Sequence, residues 1–221
     1  MKICFLGFYN SINETTYNTL SKTGILILPY LKKSWADLCT AYLVEARWYH
    51  SGHTPTLEEY LENACVSISA PVVLMHLTFM MSFSTKEEIF QGMKRAENIV
   101  SCSSLILRLA NDLGTSSDEI ARGDVPKSIQ SLQEKRECYM HDTGATELEA
   151  RRYMEKLIIK AWKKLNKERE GANIPFLSDF IDGATNLVRM AQLMYGNGDK
   201  YGHPELSRPD ILSLLLNPFL I

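Results

Sequence analysis

The sequence lacks an excess of charge of either sign. Its 24 lysine and arginine residues are balanced by 26 aspartate and glutamate residues, so the 221-residue chain has a formal net charge of −2. Nucleic-acid-binding proteins usually carry a basic excess or stripe, and polybasic membrane-surface proteins carry clustered lysine and arginine. The charge balance therefore argues against a nucleic-acid partner and against electrostatic attachment to a membrane.

Cysteine is scarce and shows no metal-binding or disulfide pattern. The five cysteines are scattered and never form a C-x-x-C pair, which indicates buried thiols in a reducing compartment rather than a disulfide framework or a zinc site. No apolar run is predicted to reach the length of a membrane span. The opening residues MKICFLGFYNSINE do not have the character of a targeting segment. The sequence thus predicts no membrane partner and no targeting segment within this chain.

Sustained strand-type alternation is also missing, and helical periodicity takes its place. Apolar residues recur at three- and four-residue spacing, for example from Tyr30 to Tyr49, and a last helix is predicted from Phe176 to Tyr195. Threonine and glutamate stand three residues apart at two predicted helix starts, in the spacing of a capping box. These pairs are Thr56 with Glu59 and Thr146 with Glu149. The pattern predicts a single all-α domain of long helices.

One apolar stretch contains a predicted break. The residues Ser67-Ile68-Ser69-Ala70-Pro71 interrupt an otherwise helical pattern. Proline has no N–H to donate to the helix, and its ring crowds the preceding turn. The sequence therefore predicts a kink or a break here.

The most informative stretch carries three oxygen-bearing side chains at helical spacing. Asn111, Thr115 and Glu119 stand at positions i, i+4 and i+8, which lie along one face of a helix. An amide oxygen, a hydroxyl and a carboxylate are hard ligands of the kind that Mg²⁺ accepts. The alternative interpretation is a solvated helix face on which these residues occur by chance, with Gly114 weakening the helix interior.

Two cations accompany this motif. Arg108 precedes Asn111 by three residues, and Lys127 follows further along. A guanidinium can hold phosphate oxygens through two parallel hydrogen bonds, and a metal ion with two cations would stabilise a diphosphate leaving group. Asp112 and Asp118 lie on other faces, and we interpret them as solvent-exposed or as supporting groups behind the ligands.

The segment NDLGTSSDE resembles the second metal-binding motif of class I plant terpene synthases, (N/D)D-x-x-(S/T)-x-x-x-E. The resemblance extends over the blocks WADLCTAYLVEARWYHSGHTPTLEEYLENACVSISAPV, LRLANDLGTSSDEIARGDVPKSIQ and CYMHDTGATELEARRYMEKLIIKAWKKLN. These blocks are most similar to the angiosperm monoterpene synthase group, which includes linalool, ocimene and myrcene synthases and the related isoprene synthases. The resemblance implies the helical bundle of the isoprenoid synthase fold. Residues 1–221 would then be the C-terminal part of the metal-binding catalytic domain, without its N-terminal helices.

The resemblance also implies roles for individual residues. Asn111, Thr115 and Glu119 match the ligands of one magnesium ion of a three-metal cluster, with Mn²⁺ as the alternative ion, and Arg108 and Lys127 match diphosphate contacts. The predicted break matches a kinked helix whose carbonyls face the ionising substrate, and residues 196–202 match a loop that closes over the site. The resulting pocket and cap candidates are Ser67, Ile68, Ser69, Ala70 and Tyr201.

Three departures from the family pattern accompany this resemblance. The aspartate-rich D-D-x-x-D motif and the arginine motif upstream of it are absent, and the D-x-x-D from Asp179 to Asp182 is predicted to be a helix-surface pair. Residues 131–137 form an insertion close behind Lys127. The segment Gly198-Asp199-Lys200 has lysine where relatives usually have glycine.

The resemblance implies an enzyme, a carbon–oxygen lyase that ionises a prenyl diphosphate with Mg²⁺, and geranyl diphosphate is the favoured substrate. The allylic cation would then lose a proton, capture water or cyclise in monoterpenoid biosynthesis. The alternative is a truncated and catalytically silent helical fragment, because the aspartate-rich motif is absent; a helical adaptor is a third hypothesis. The resemblance implies a plastid location, with the cytosol as the alternative.

Overall fold

The computed structural model describes residues 2–81, 86–122, 143–170, 175–196, 198–200, 202–209 and 212–213. The helices within these ranges are α1 (Lys2–Thr23), α2 (Leu28–Ser51), α3 (Leu57–Ser67), α4 (Ala70–Met80), α5 (Lys86–Arg122), α6 (Glu147–Glu170) and α7 (Pro175–Tyr195). A short 3₁₀ helix follows at Pro204–Leu206. No β-strand occurs among these described residues, and the predicted all-α class is confirmed.

The main core lies where α5 packs against α6 and α7, with Leu74 of α4 at its edge. Burying a large apolar side chain of this kind stabilises the fold by roughly 1.5–3 kcal/mol, so α5 is firmly held by both neighbours. The large fully buried side chains that these three helices contribute are Ile99, Ile106 and Leu109 from α5, Leu165 from α6, and Phe180, Ile181 and Val188 from α7. Cys102 is also buried in this core, whereas Cys4 and Cys39 are exposed, so the prediction of buried thiols is wrong for those two.

A second cluster joins α2 to α4. Its buried members are Ile25, Ile27, Leu31 and Phe79. Beside it, the ring of Phe8 in α1 meets Trp35 edge-on, with ring centroids 4.3 Å apart, and Trp35 Nε1 donates to His76 Nε2 of α4 at 3.1 Å. Burial lowers the pKa of His76, which favours the neutral imidazole that this bond requires. These contacts connect α1, α2 and α4.

Both predicted capping boxes are confirmed. The Thr56 N–H donates to Glu59 Oε2 at 2.8 Å, and the Glu59 N–H donates to Thr56 Oγ1 at 3.3 Å. Thr146 and Glu149 make the same two bonds at 2.8 and 3.4 Å. The hydrogen bonds from Thr146 lower the pKa of Glu149, because they favour its charged form. These bonds satisfy N–H groups that a helix start would otherwise leave unpaired, and they set the first residues of α3 and α6.

The predicted break is confirmed as an interruption between α3 and α4. Helix α3 ends at Ser67 and α4 begins at Ala70, and Ser69 between them has φ of 65°, in the left-handed region. By length and composition the stretch Leu57–Met80 could cross a membrane, contrary to the sequence-based expectation that no run is long enough. The break nevertheless divides it into two helices of 11 residues each. Each is about 16 Å long, much shorter than the ~30 Å hydrocarbon core of a bilayer.

Replacing Ser69 by glycine is expected to stabilise the fold. A left-handed backbone costs a non-glycine residue about 1–2 kcal/mol, whereas the added chain entropy of glycine costs about 0.5–1 kcal/mol. Because the Ser69 side chain makes no capping hydrogen bond, we expect Ser69→Gly to raise the free energy of unfolding by about 0.5 kcal/mol. The measurement is urea unfolding followed by far-ultraviolet circular dichroism.

The matched control is Ser11→Gly, at an exposed position inside α1. There glycine only lowers helix propensity, so this variant should be less stable than wild type by about 0.5 kcal/mol. Equal destabilisation by both substitutions would contradict the strain assigned to Ser69.

Candidate functional site

The predicted metal motif lies within one uninterrupted helix. Helix α5 runs for 37 residues and contains Asn111, Thr115 and Glu119. Asn111 and Thr115 are half-buried, whereas the Glu119 side chain lies outside the described part of the structure. At about 100° per residue, the three positions fall within about 80° of one helix face. The helical spacing is therefore as predicted, and the assignment of these residues as metal ligands stays a prediction.

Gly114 has a packing role rather than being a weak point of α5. A Cβ atom at this position would lie 2.5 Å from the carbonyl oxygen of Tyr195 and 2.7 Å from its Cβ. Such distances are far below van der Waals contact, so only glycine lets the end of α7 approach α5 this closely. The contact occurs between Asn111 and Thr115. It places the chain that leaves α7 at Gly196 beside the motif.

Arg108, about one turn before Asn111, forms a buried ion pair with a residue inside the motif. Its Nη2 atom lies 2.6 Å from Asp112 Oδ1, and the two side chains are 12% and 3% exposed. The guanidinium also faces Tyr60 of α3, with Cζ 5.8 Å from the ring centroid. The burial of Asp112 contradicts the solvent-exposed interpretation drawn from the sequence, and its role as a supporting group behind the metal ligands stays a prediction.

A carboxylate from α2 joins this region. Glu45 Oε1 accepts from the Ser67 hydroxyl at 2.5 Å and from Asn63 Nδ2 at 3.4 Å. Ser67 is the last residue of α3 before the break. Glu45 therefore ties the break to α2.

Tyr60 connects the two groups electrostatically. Burial raises the pKa of the Tyr60 hydroxyl, the nearby Arg108 cation opposes this effect, and Glu45 adds to it. Both charges therefore act on the same hydroxyl. We call Glu45, Tyr60, Ser67, Arg108 and Asp112 the polar cluster; it spans α2, α3 and α5.

Two members of the polar cluster, Glu45 and Tyr60, were not identified from the sequence. Glu45 follows Leu38 by seven residues and Ala41 by four, so it belongs to the buried face of α2. The sequence feature that could have identified Glu45 is a single carboxylate within an apolar stripe, because a buried charge needs a partner. The sequence does not distinguish Tyr60 from a core residue, because a tyrosine in a helix stripe usually belongs to the core.

The structure describes some of the other predicted site residues but not all of them. Ile68 and Ser69 are half-buried at the break, and Ala70 is fully buried. Lys127, Tyr201 and the insertion at residues 131–137 lie outside the described residues, so the structure does not test them. Lys200, noted in the sequence as a departure from the family pattern, is 6% exposed.

The D-x-x-D pair lies on the surface, as predicted. Asp179 is exposed, and Asp182 Oδ1 pairs with Arg169 Nη2 of α6 at 2.6 Å. Among the residues that the structure describes, no three His, Cys, Asp or Glu side chains group as a metal site. This finding leaves the α5 motif untested, because two of its ligands are an amide and a hydroxyl and the third lies outside the described side chains.

A cavity of about 960 Å³ lies between α2, α3, α4 and α5. Its walls include Ala41, Val66 and Leu74, with Lys33 and Asp37 among the charged residues that line it. None of the predicted site residues with a described side chain lines this cavity. Asn63, which donates to Glu45 Oε1 of the polar cluster, does line it.

Comparison with known proteins places these features in context. Residues 1–164 match the family model described as "Terpene synthase family, metal binding domain". The chain is 61% identical over 218 residues to R-linalool synthase QH1, chloroplastic, of Artemisia annua, covering 99% of this chain and 37% of the relative. It is 48% identical over 219 residues to myrcene synthase, chloroplastic, of Quercus ilex, covering 99% of this chain and 35% of the relative.

Solved structures agree with these sequence matches. The chain aligns over its full length with grey poplar isoprene synthase in complex with three Mg²⁺ ions and dimethylallyl-S-thiolodiphosphate, at TM-score 0.81 and 41% identity, covering 41% of that chain. It also aligns in full with limonene synthase bound to 2-fluorolinalyl diphosphate, at TM-score 0.79 and 45% identity, covering 39% of that chain. This chain thus spans well under half the length of the proteins it matches.

Replacing Gly114 by alanine is expected to destabilise the fold. The added methyl group would collide with the Tyr195 backbone, and overpacking of this kind costs about 1–3 kcal/mol, more than the gain in helix propensity of about 1 kcal/mol. Gly7→Ala is the matched control, because a Cβ at Gly7 of α1 meets nothing within 4 Å. That variant should gain about 0.5–1 kcal/mol. Urea unfolding of both variants measures the difference, and stabilisation by Gly114→Ala would contradict the close approach of α7.

Proposed function

Because the chain belongs to the terpene synthase family, we propose that its residues serve the Mg²⁺-dependent ionisation of a prenyl diphosphate, specifically geranyl diphosphate. The observation that carries this proposal is the placement of Asn111 and Thr115 on one helix with the buried Arg108. A metal-binding face and a cation at its N-terminal side are the two features needed to hold a diphosphate.

The three proposed ligands suit Mg²⁺ in chemistry and in reach. Mg²⁺ takes six oxygen ligands and usually keeps several waters and substrate phosphate oxygens. Asn111 and Glu119 are about 12 Å apart along the helix axis, with Thr115 midway between them. Glutamate has the longest of the three side chains, which suits the ligand position at the far end of this spacing. When bound, the metal would neutralise charge on the departing diphosphate.

The predicted site residues other than the metal ligands would bind the diphosphate and face the allylic cation. Arg108 and Lys127 would hold the phosphate oxygens, with Arg108 offering a planar fork that fits two of them. At the break, the carbonyl oxygens of Ala64 and Val66 accept hydrogen bonds from the residues just after α3, and they keep the partial negative charge of a helix C-terminus. Such dipoles near Ser67 to Ala70 would stabilise the allylic cation after ionisation.

The ten-carbon substrate and the plastid location are supported by the relatives. Those at 61% and 48% identity are named as linalool and myrcene synthases, both chloroplastic. Linalool and myrcene are ten-carbon products, which favours geranyl diphosphate over shorter or longer prenyl diphosphates. We therefore propose monoterpenoid formation in the plastid as the setting of the reaction.

A second candidate is that these 221 residues by themselves are catalytically silent, as a helical fragment. The sequence contains no D-D-x-x-D motif, and α1 presents a large apolar face to solvent, with Ile3 85% and Phe5 64% exposed. A carbocation has to be shielded from bulk water in a closed apolar site. An apolar face exposed in this way is typical of a surface that another element covers. We favour diphosphate binding without turnover for the isolated chain.

The test combines binding and turnover with the purified 221-residue chain. We expect Mg²⁺-dependent binding of geranyl diphosphate in calorimetry, and we expect Glu119→Gln to weaken it at least about tenfold, as loss of a metal-site group usually does. Asp182→Asn, which alters a surface carboxylate, should bind like wild type. No Mg²⁺-dependent binding by a folded chain would overturn the proposal. Headspace analysis for volatile products then decides the second candidate, because product that disappears in Glu119→Gln would rule out silence.

A further inference from the structure

The Arg108–Asp112 ion pair differs from a comparable pair of the structure in its burial. Arg169 and Asp182 have the same Nη2 to Oδ1 distance of 2.6 Å, but their side chains are 50% and 49% exposed. Those of Arg108 and Asp112 are 12% and 3% exposed. An exposed pair contributes little to stability, because water screens it, whereas a buried charge without a partner is costly. Asp112 therefore has a large effect on where the Arg108 guanidinium can lie.

Tyr60 confines the same guanidinium from another helix. Its ring is 1% exposed, and Arg108 Cζ lies 5.8 Å from the ring centroid, within the range of a cation–π contact. The guanidinium thus contacts a carboxylate from its own helix and an aromatic ring from α3. Contacts with groups on two different helices restrict the position of the guanidinium.

We propose that Asp112 is a positioning residue for Arg108, which holds the guanidinium in the orientation that accepts a diphosphate. The inference rests on the proposed function, in which Arg108 contacts the diphosphate. A guanidinium has five N–H donors in a rigid fork, more than a single carboxylate can accept. One group can therefore pair with Asp112 and with phosphate oxygens at the same time. An arginine held in place also loses less side-chain entropy when the ligand binds.

Asp112 also has a direct electrostatic effect on diphosphate binding, which opposes its positioning effect. The two effects therefore predict opposite changes in affinity when the charge of Asp112 is removed. The negative charge of Asp112 repels a diphosphate, so removing it would strengthen binding if Asp112 did nothing else. Removing it also releases the guanidinium from its buried position, which weakens binding if orientation matters. We expect the second effect to be larger, because the pair is almost fully buried and the displaced arginine would turn toward solvent.

The experiment is calorimetric titration of inorganic diphosphate into the 221-residue chain in the presence of Mg²⁺. Asp112→Asn keeps the size and shape of the side chain and removes its charge, and we expect it to weaken binding about tenfold. Asp182→Asn is the matched control, since it breaks a pair of equal length on the surface, and its affinity should equal that of wild type. Circular dichroism and urea unfolding establish that each variant is folded.

A double-mutant cycle separates positioning from a merely structural effect. If Asp112 acts through Arg108, Asp112→Asn should cost nothing further in an Arg108→Gln background. If Asp112→Asn does not fold, Asp112→Glu replaces it, because that variant keeps the charge and shifts the carboxylate by one methylene. We expect it to bind several-fold more weakly than wild type.

The possible results distinguish a failure of the positioning role from a failure of the proposed function. Unchanged or tighter binding by the folded Asp112 variant, or an equal loss in the Arg108→Gln background, overturns the positioning role and leaves the proposed function standing. Absence of diphosphate binding by folded wild type overturns both.

Discussion

Helix α5 carries Ile106 and Leu109 into the core between α6 and α7, and on the turns that follow it carries the half-buried Asn111 and Thr115. The packing of its apolar residues is the constraint on which the rest of the structure depends. Because each buried aliphatic side chain stabilises the fold by roughly 1.5–3 kcal/mol, α5 cannot turn about its axis without losing several such contacts. The face that presents the motif is therefore set by the face that is buried.

The polar cluster is a second constraint, and it acts on how α2, α3 and α5 pack together. Charges removed from water interact strongly and tolerate no missing partner, so Arg108 and Asp112 are held together, and Tyr60 lies against them from α3. The bond from Ser67 to Glu45 then ties the end of α3 to α2. As a result the α3–α4 break is oriented by hydrogen bonding as well as by its own backbone. A substitution of Asp112 would therefore alter the position of Arg108, and a substitution of Glu45 would alter the break, in both cases without direct contact to a diphosphate.

Local features were predicted well from the sequence, and features that depend on other helices were not. The capping boxes at Thr56 and Thr146 were predicted because both partners lie within one helical turn. Gly114 was interpreted as a weakness of the helix, because its neighbour Tyr195 lies 81 residues away and cannot be identified from local spacing. Glu45 was overlooked for the same reason, since its partner Ser67 belongs to a different helix.

The sequence by itself determined the helical class, the presence of a break between Ser67 and Pro71, and the spacing of Asn111, Thr115 and Glu119 along one face. These features follow from periodicity and from the conformations open to proline and to residues between helices, which are properties of neighbours in the chain. Only the tertiary structure decided that Asp112 faces Arg108 in a buried pair, that Tyr60 lies against the same guanidinium, and that α7 ends against Gly114. The contacts of Tyr60 and Gly114 join helices far apart in sequence. The Arg108–Asp112 pair lies within one turn of α5, but it is buried only when apolar burial brings the helices together.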